Sequence, residues 1–188
     1  MALQLSLSVR PQQSTRSTTR VFILSPERDA PYPAVFEGFQ RYAKYLAENE
    51  ARFPPNAYAL ATSTWYYDPS DHRSPHDAWL ESVTIGELSS GPRQERRAVT
   101  LRARLLGAYH DGYIELTYSH VFRYRLSLQD GAQGHRDWRY DEFRVSEEGH
   151  LVHEIQWASA GGTGEWVIEA VDVDFQWCPT QASSSPAV

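Results

Sequence analysis

Cysteine, methionine and lysine each occur once in this 188-residue chain. The lone Cys178 leaves no partner for an internal disulfide and no thiolate set for zinc. No apolar run approaches the roughly 18 residues that a bilayer helix needs, which excludes a helical membrane span. No serine sits in a Gly-x-Ser-x-Gly elbow, so the usual acyl-transfer nucleophile is missing. Acids are absent from residues 1–26, a stretch rich in Ser, Thr, Gln and Arg. That composition superficially matches an organelle transit peptide, and is read here as a flexible leader over residues 1–20. What is abundant is aromatic: 6 Trp, 11 Tyr and 7 Phe supply ample area for a core and argue against global disorder.

The formal net charge is −6, and it is concentrated. Residues 141–188 hold nine acids (Asp141, Glu142, Glu147, Glu148, Glu154, Glu165, Glu169, Asp172 and Asp174) against one base, Arg144. A field of one sign repels nucleic acid and anionic membrane and steers a basic partner inward. It also fits a plain solvated face.

Along the chain, residues 21–24 (VFIL) form a short apolar run that suits a strand. Phe36, Phe39, Ala43 and Leu46 then recur at helical spacing, with Val35, Tyr42 and Tyr45 widening the stripe and Pro54–Pro55 ending it. Residues 58–67 (YALATSTWYY) read as extended. From residue 79 onward the period is two. Trp79, Glu81, Val83 and Ile85 share one side; Val99, Leu101, Ala103 and Leu105 alternate with Thr100, Arg102 and Arg104. Asp111–Gly112 predicts a type I′ hairpin. Ile114, Leu116 and Tyr118 continue the phase to Leu128, with a bend near Ser119–His120. Two further pairings follow, turning at residues 146–149 (SEEG) and 158–164 (ASAGGTG). The expected fold is α+β and mostly β: an antiparallel meander of six or seven strands, with one N-terminal amphipathic helix packed on it. It forms one domain over residues 21–178, and residues 179–188 form a flexible tail.

The densest polar cluster is Asp68, Asp71, His72, His76 and Asp77. His72 and His76 are four apart, which on a helix would aim two imidazoles at one metal. Pro69 and Pro75 argue against that helix, so a structural role for His76 or Asp77 at the start of the Trp79 strand is the simpler reading. A metal-dependent hydrolase using Asp71, His72, His76 and Asp77 is kept as an alternative. GGTG at residues 161–164 lacks the following helix that a phosphate loop needs. His153 shares a phase with Leu151, Ile155 and Trp157, and reads as a hydrogen-bonded core residue rather than a base. Asp172 and Asp174 share one face of the last strand, and Cys178 is placed beyond it. Trp65, Tyr66, Tyr67, Trp138 and Tyr140 read as exposed aromatics that could stack on sugar or bases, or simply fill the core.

Residues 76–85 (HDAWLESVTI), 105–118 (LLGAYHDGYIELTY), 141–157 (DEFRVSEEGHLVHEIQW) and 166–177 (WVIEAVDVDFQW) together resemble a widespread group of small, uncharacterised bacterial proteins over about residues 35–178. The His76–Asp77 opening followed by strands is similar to immunity proteins of polymorphic-toxin systems. The resemblance implies a His76–Asp77 signature and carries no catalytic residue. The resulting expectation is a non-enzymatic, cytoplasmic binding protein, with no cofactor or metal and no nucleic-acid or membrane partner. Its partner would be a basic protein, possibly a toxin, met by Glu147, Glu148, Glu165, Asp172 and Asp174.

Overall fold

The computed structural model describes residues 22–25, 33–128, 134–159 and 162–180. The expected leader and most of the expected tail lie outside these residues, as does Val21 of the first apolar run. Phe22–Ser25 is a turn with Ser25 N–H donating to the Phe22 carbonyl, not a strand. Helix α1 spans Ala34–Asn49, a 3-10 turn spans Glu50–Arg52, and a second helix, α2, spans Pro55–Ala61. The strands are β1 (Trp79–Ser90), β2 (Arg96–Leu106), β3 (Gly112–Ser119), β4 (Arg123–Ser127), β5 (Asp137–Val145), β6 (Leu151–Ser159), β7 (Gly162–Ala170) and β8 (Asp172–Pro179).

All eight strands join one antiparallel sheet in the order β4-β7-β6-β5-β1-β2-β3-β8. The α+β, mostly β architecture is therefore as expected, with more strands than six or seven and an order that departs from a simple meander. The cause of both differences is the bend. The long alternating run breaks at His120, whose φ is 48°, into β3 and β4. Its partner run breaks at Val171 into β7 and β8, so Cys178 lies inside β8, opposite Tyr113, and not beyond the last strand. β3 pairs with β8 and β4 with β7, so the two ends of the strand row belong to one bent ribbon. The sheet curls around its core but stays open along most of the seam between β1 and β5, which meet only at Trp79 and Asp137.

Alternation explains the inner face. Leu101, Ala103 and Leu105 of β2, Ile114, Leu116 and Tyr118 of β3, and Leu151, Ile155 and Trp157 of β6 are all buried in one core. Two irregularities shift the phase elsewhere. A bulge between Leu80 and Ser82 puts Leu80, Val83 and Ile85 opposite Leu105, Ala103 and Leu101, which leaves Trp79 in the other phase and corrects the expected face of β1. A second bulge between Trp138 and Tyr140 aligns Trp138 with Asp141 and Phe143 on the inner face.

The Asp111–Gly112 hairpin is real, but its left-handed residue is His110, at φ 58°, in a loop closed by Gly107 N–H to the Gly112 carbonyl (3.0 Å). Gly112 is needed for another reason: a Cβ there would overlap the Trp177 ring.

Both helices pack apolar residues into the core and add polar contacts to the sheet. The packing face of α1 runs through Phe39, Tyr42, Tyr45 and Leu46, with Phe36 and Ala43 exposed. Helix α2 replaces the expected extended segment. Pro55 fits at its first turn, where no N–H is required. Asp172 supplies the missing cap, accepting the N–H groups of Asn56 (3.1 Å) and Ala57 (3.0 Å).

Candidate functional site

β5 has one edge that its sheet neighbour β1 leaves largely unpaired, and an unpaired edge needs cover. At Phe143 the Tyr42 hydroxyl does this twice, accepting the backbone N–H (2.8 Å) and donating to the carbonyl (2.9 Å). At Val145 the N–H donates to the Tyr45 hydroxyl (2.9 Å). At the other end, Trp138 N–H donates to the Ala78 carbonyl (3.0 Å) and the Trp138 carbonyl accepts Asp77 N–H (2.8 Å). Between these anchors the loop of residues 66–76 stands off from the strand.

There a cavity of about 190 Å3 opens, lined by Ile23, Phe39, Tyr66, Tyr67, Pro69, Pro75, His76, Trp138, Arg139, Tyr140 and Asp141. Four of the five aromatics read as exposed stacking candidates border this cavity, but Tyr66 and Trp138 are each 1% exposed and belong to the core, which corrects that reading for both. His76 meets Tyr140 edge to face, with ring centres 6.3 Å apart. At the rim, Asp77 lies between His76 Nδ1 (3.2 Å) and Arg139 (3.6 Å), and the Arg139 guanidinium lies over Tyr140. Asp77 N–H ties the loop to β5, and the His76 and Asp77 side chains lie together at the mouth.

Behind the wall lies a buried polar chain. Asp141 accepts three donors: Trp138 Nε1 (2.9 Å), the Tyr66 hydroxyl (3.1 Å) and His153 Nε2 (2.9 Å). With Nε2 donating to Asp141, His153 Nδ1 is left to accept the Tyr118 hydroxyl at 2.7 Å. His153 is 0% exposed, as its phase implied, and both of its nitrogens are engaged. Burial holds the Tyr66 and Tyr118 phenols well above their ordinary range, and the Asp141 charge adds to it. The chain has the order of a proton relay but no nucleophile at its end and no free ring nitrogen. What it does is hold the Tyr66 and Trp138 rings through their hydrogen bonds to Asp141.

The sequence-predicted polar residues do not gather into one site. Asp71 is held by Arg73, whose hydrogen bonds lower the Asp71 carboxyl to about 2. His72 bonds Asp111 at 2.5 Å and stacks on Tyr109, away from His76. Among the described residues no group of three or more His, Cys, Asp or Glu side chains is placed to hold a metal ion. Glu147 and Glu148 are exposed in the turn between β5 and β6. Glu165 faces Gln156, five residues along β6 from Leu151, or about 17 Å by strand rise, and pairs with Arg125 at 2.5 Å. Asp172 caps α2, and Asp174 accepts from Asn56 (2.7 Å).

Asp141 and Tyr118 were not singled out by sequence reasoning as a pair with His153. The available signal was an acid flanked by core positions, but strict alternation puts Asp141 out of phase with Trp138. Only the bulge aligns them.

No protein-family model, curated protein or solved structure matches this chain. Among the described residues no helix is long and apolar enough to cross a membrane. The functional reading therefore rests on the geometry of the site.

Proposed function

We propose that this chain is a small-ligand-binding module whose site is the cavity between α1, the loop of residues 66–76 and the edge of β5. One observation carries the reading: a cavity of about 190 Å3 whose wall is mainly aromatic and held in place by the buried Asp141 network. A dry apolar cavity of about 150 Å3 accommodates one benzene ring. The volume here suits a single six-membered ring with a small substituent and is tight for two fused rings. Preorganised walls favour binding because little ordering remains to be done when the ligand arrives.

The same geometry lends less support to occlusion of a basic toxin by an acidic face. Asp172, Asp174 and Glu165 already serve partners within the chain, which leaves Glu147 and Glu148 as the exposed acids of the five. Nor does the wall supply a nucleophile or a metal set that would favour hydrolysis.

Thermal unfolding in the presence of benzene, phenol and glucose tests the proposal. Ligand at about 100 times Kd adds roughly 2.7 kcal/mol of stability, a shift of several degrees. A shift with single-ring compounds that shrinks in Tyr140→Ala is the expected result. Equal, flat responses to all three would overturn it.

A further inference from the structure

Ring orientation and formal charge narrow what the cavity can hold. The rings of its wall stand at steep angles to one another: Tyr67 is turned 73° from Phe39 and 81° from Tyr66, and His76 is turned 76° from Tyr140. Rings set in this way bound a space from several sides, and the face of an aromatic ring carries partial negative charge.

The same wall contains a full negative charge. Asp141 is 3% exposed, and its side chain accepts from Trp138 Nε1, the Tyr66 hydroxyl and His153 Nε2. None of these donors brings a positive charge, because His153 takes the hydroxyl hydrogen of buried Tyr118 at Nδ1 and is neutral. Among the described residues no lysine or arginine forms an ion pair with Asp141. A buried carboxylate is ordinarily matched by a cation. Here its field reaches the cavity rings: burial raises the Tyr66 and Tyr67 phenols, and the Asp141 charge raises both further. At the rim, Arg139 lies over Tyr140, 5.3 Å from the ring centre, and 3.6 Å from Asp77. An outer aromatic face thus already receives a cation, and Asp77 balances that charge. The charge of Asp141 has no such balance.

We propose that the ligand is a compact organic cation, an alkylated or protonated nitrogen carried on a single ring or on methyl groups, held among Phe39, Tyr67 and Tyr140 with its charge toward Asp141. The inference rests on the small-ligand reading and narrows it. An anion would meet the field of Asp141, and a sugar would set its hydroxyls against aromatic carbon. A neutral ring gains the apolar contact without the attraction of the ring faces for positive charge.

The test titrates the full chain with three probes of nearly one shape: N-methylpyridinium, toluene and benzoate. N-methylpyridinium should bind at least about tenfold more tightly than toluene, and benzoate more weakly than toluene. Asp141→Asn keeps an acceptor for Tyr66 and Trp138 but removes the charge, and should erase the preference for the cation while toluene still binds. Phe39→Leu, which leaves the Asp141 network intact, serves if that variant does not fold; loss of one ring face should lower the preference severalfold. If N-methylpyridinium binds no tighter than toluene, or the preference is unchanged in these variants, the cation inference is overturned while the small-ligand reading stands. If no probe binds, both fall.

Discussion

The two halves of the sheet solve the same problem differently. In the β1–β2–β3 half, one face packs on the core and the other carries a charge cluster at the surface: Arg102 and Arg104 cover the largely buried Glu115, and Arg104 also reaches Glu81. β1 is exposed over nearly its whole length, including Val83 and Ile85. In the β5–β6–β7 half both faces are closed. Glu142, Glu154 and Gln156, on the face opposite the core, are 0%, 3% and 1% exposed. Arg144 lies against Glu142 at 3.1 Å and also pairs with Glu154. Polar groups in water contribute little to stability, whereas buried ones are costly to orphan. The second half, where polar side chains are buried, is also where the cavity lies.

Substitutions should separate the halves, beginning with Asp141→Ala. It strips the acceptor from Tyr66, Trp138 and His153 together, and a loss of about 3–5 kcal/mol in urea unfolding is expected. Tyr42→Phe leaves the Phe143 N–H and C=O uncovered at the β5 edge, for about 1–3 kcal/mol. At the opposite extreme, Arg104→Ala should cost about 1 kcal/mol or less, since its pair with Glu81 is in contact with water and Glu115 keeps Arg102 as a partner. A cost for Arg104→Ala equal to that of Asp141→Ala would erase the contrast.

Proton linkage sharpens the comparison further, with a smaller effect. Burial raises the Glu142 carboxyl, against the opposing pull of Arg144 and the Leu24 N–H. The native state then holds this proton more tightly than the unfolded chain does. Stability from this group is full below the ordinary glutamate range, near about 4.3, and is lost as pH rises through the elevated native value. Glu142→Gln lacks that loss. The melting temperature of the variant relative to the parent should therefore climb as pH rises above the ordinary glutamate range. A difference independent of pH would mean that Glu142 does not titrate differently in the folded state.

The same contrast decides what could be read in advance. β2 and β3 were legible because one solvated face makes the alternation of Leu101, Ala103 and Leu105 with Arg102 and Arg104 visible in the letters themselves. His153 was legible for the same reason. β1 and β5 were legible as strands but not in phase, because a bulge flips every residue beyond it and leaves no mark in composition. Helix α2 escaped because its cap is Asp172, 115 residues from Ala57. The aromatic members of the cavity wall were named as stacking candidates, yet their convergence could not be seen. The cavity exists because β1 and β5 part after a single pair, and that is a property of the sheet as a whole.

The most direct trial of the account is a crystal structure of the full chain grown with phenol. The account requires ring-shaped density in the space bounded by Phe39, Tyr67, His76 and Tyr140. A cavity filled only by solvent at saturating phenol, or the ring bound elsewhere on the molecule, would contradict it.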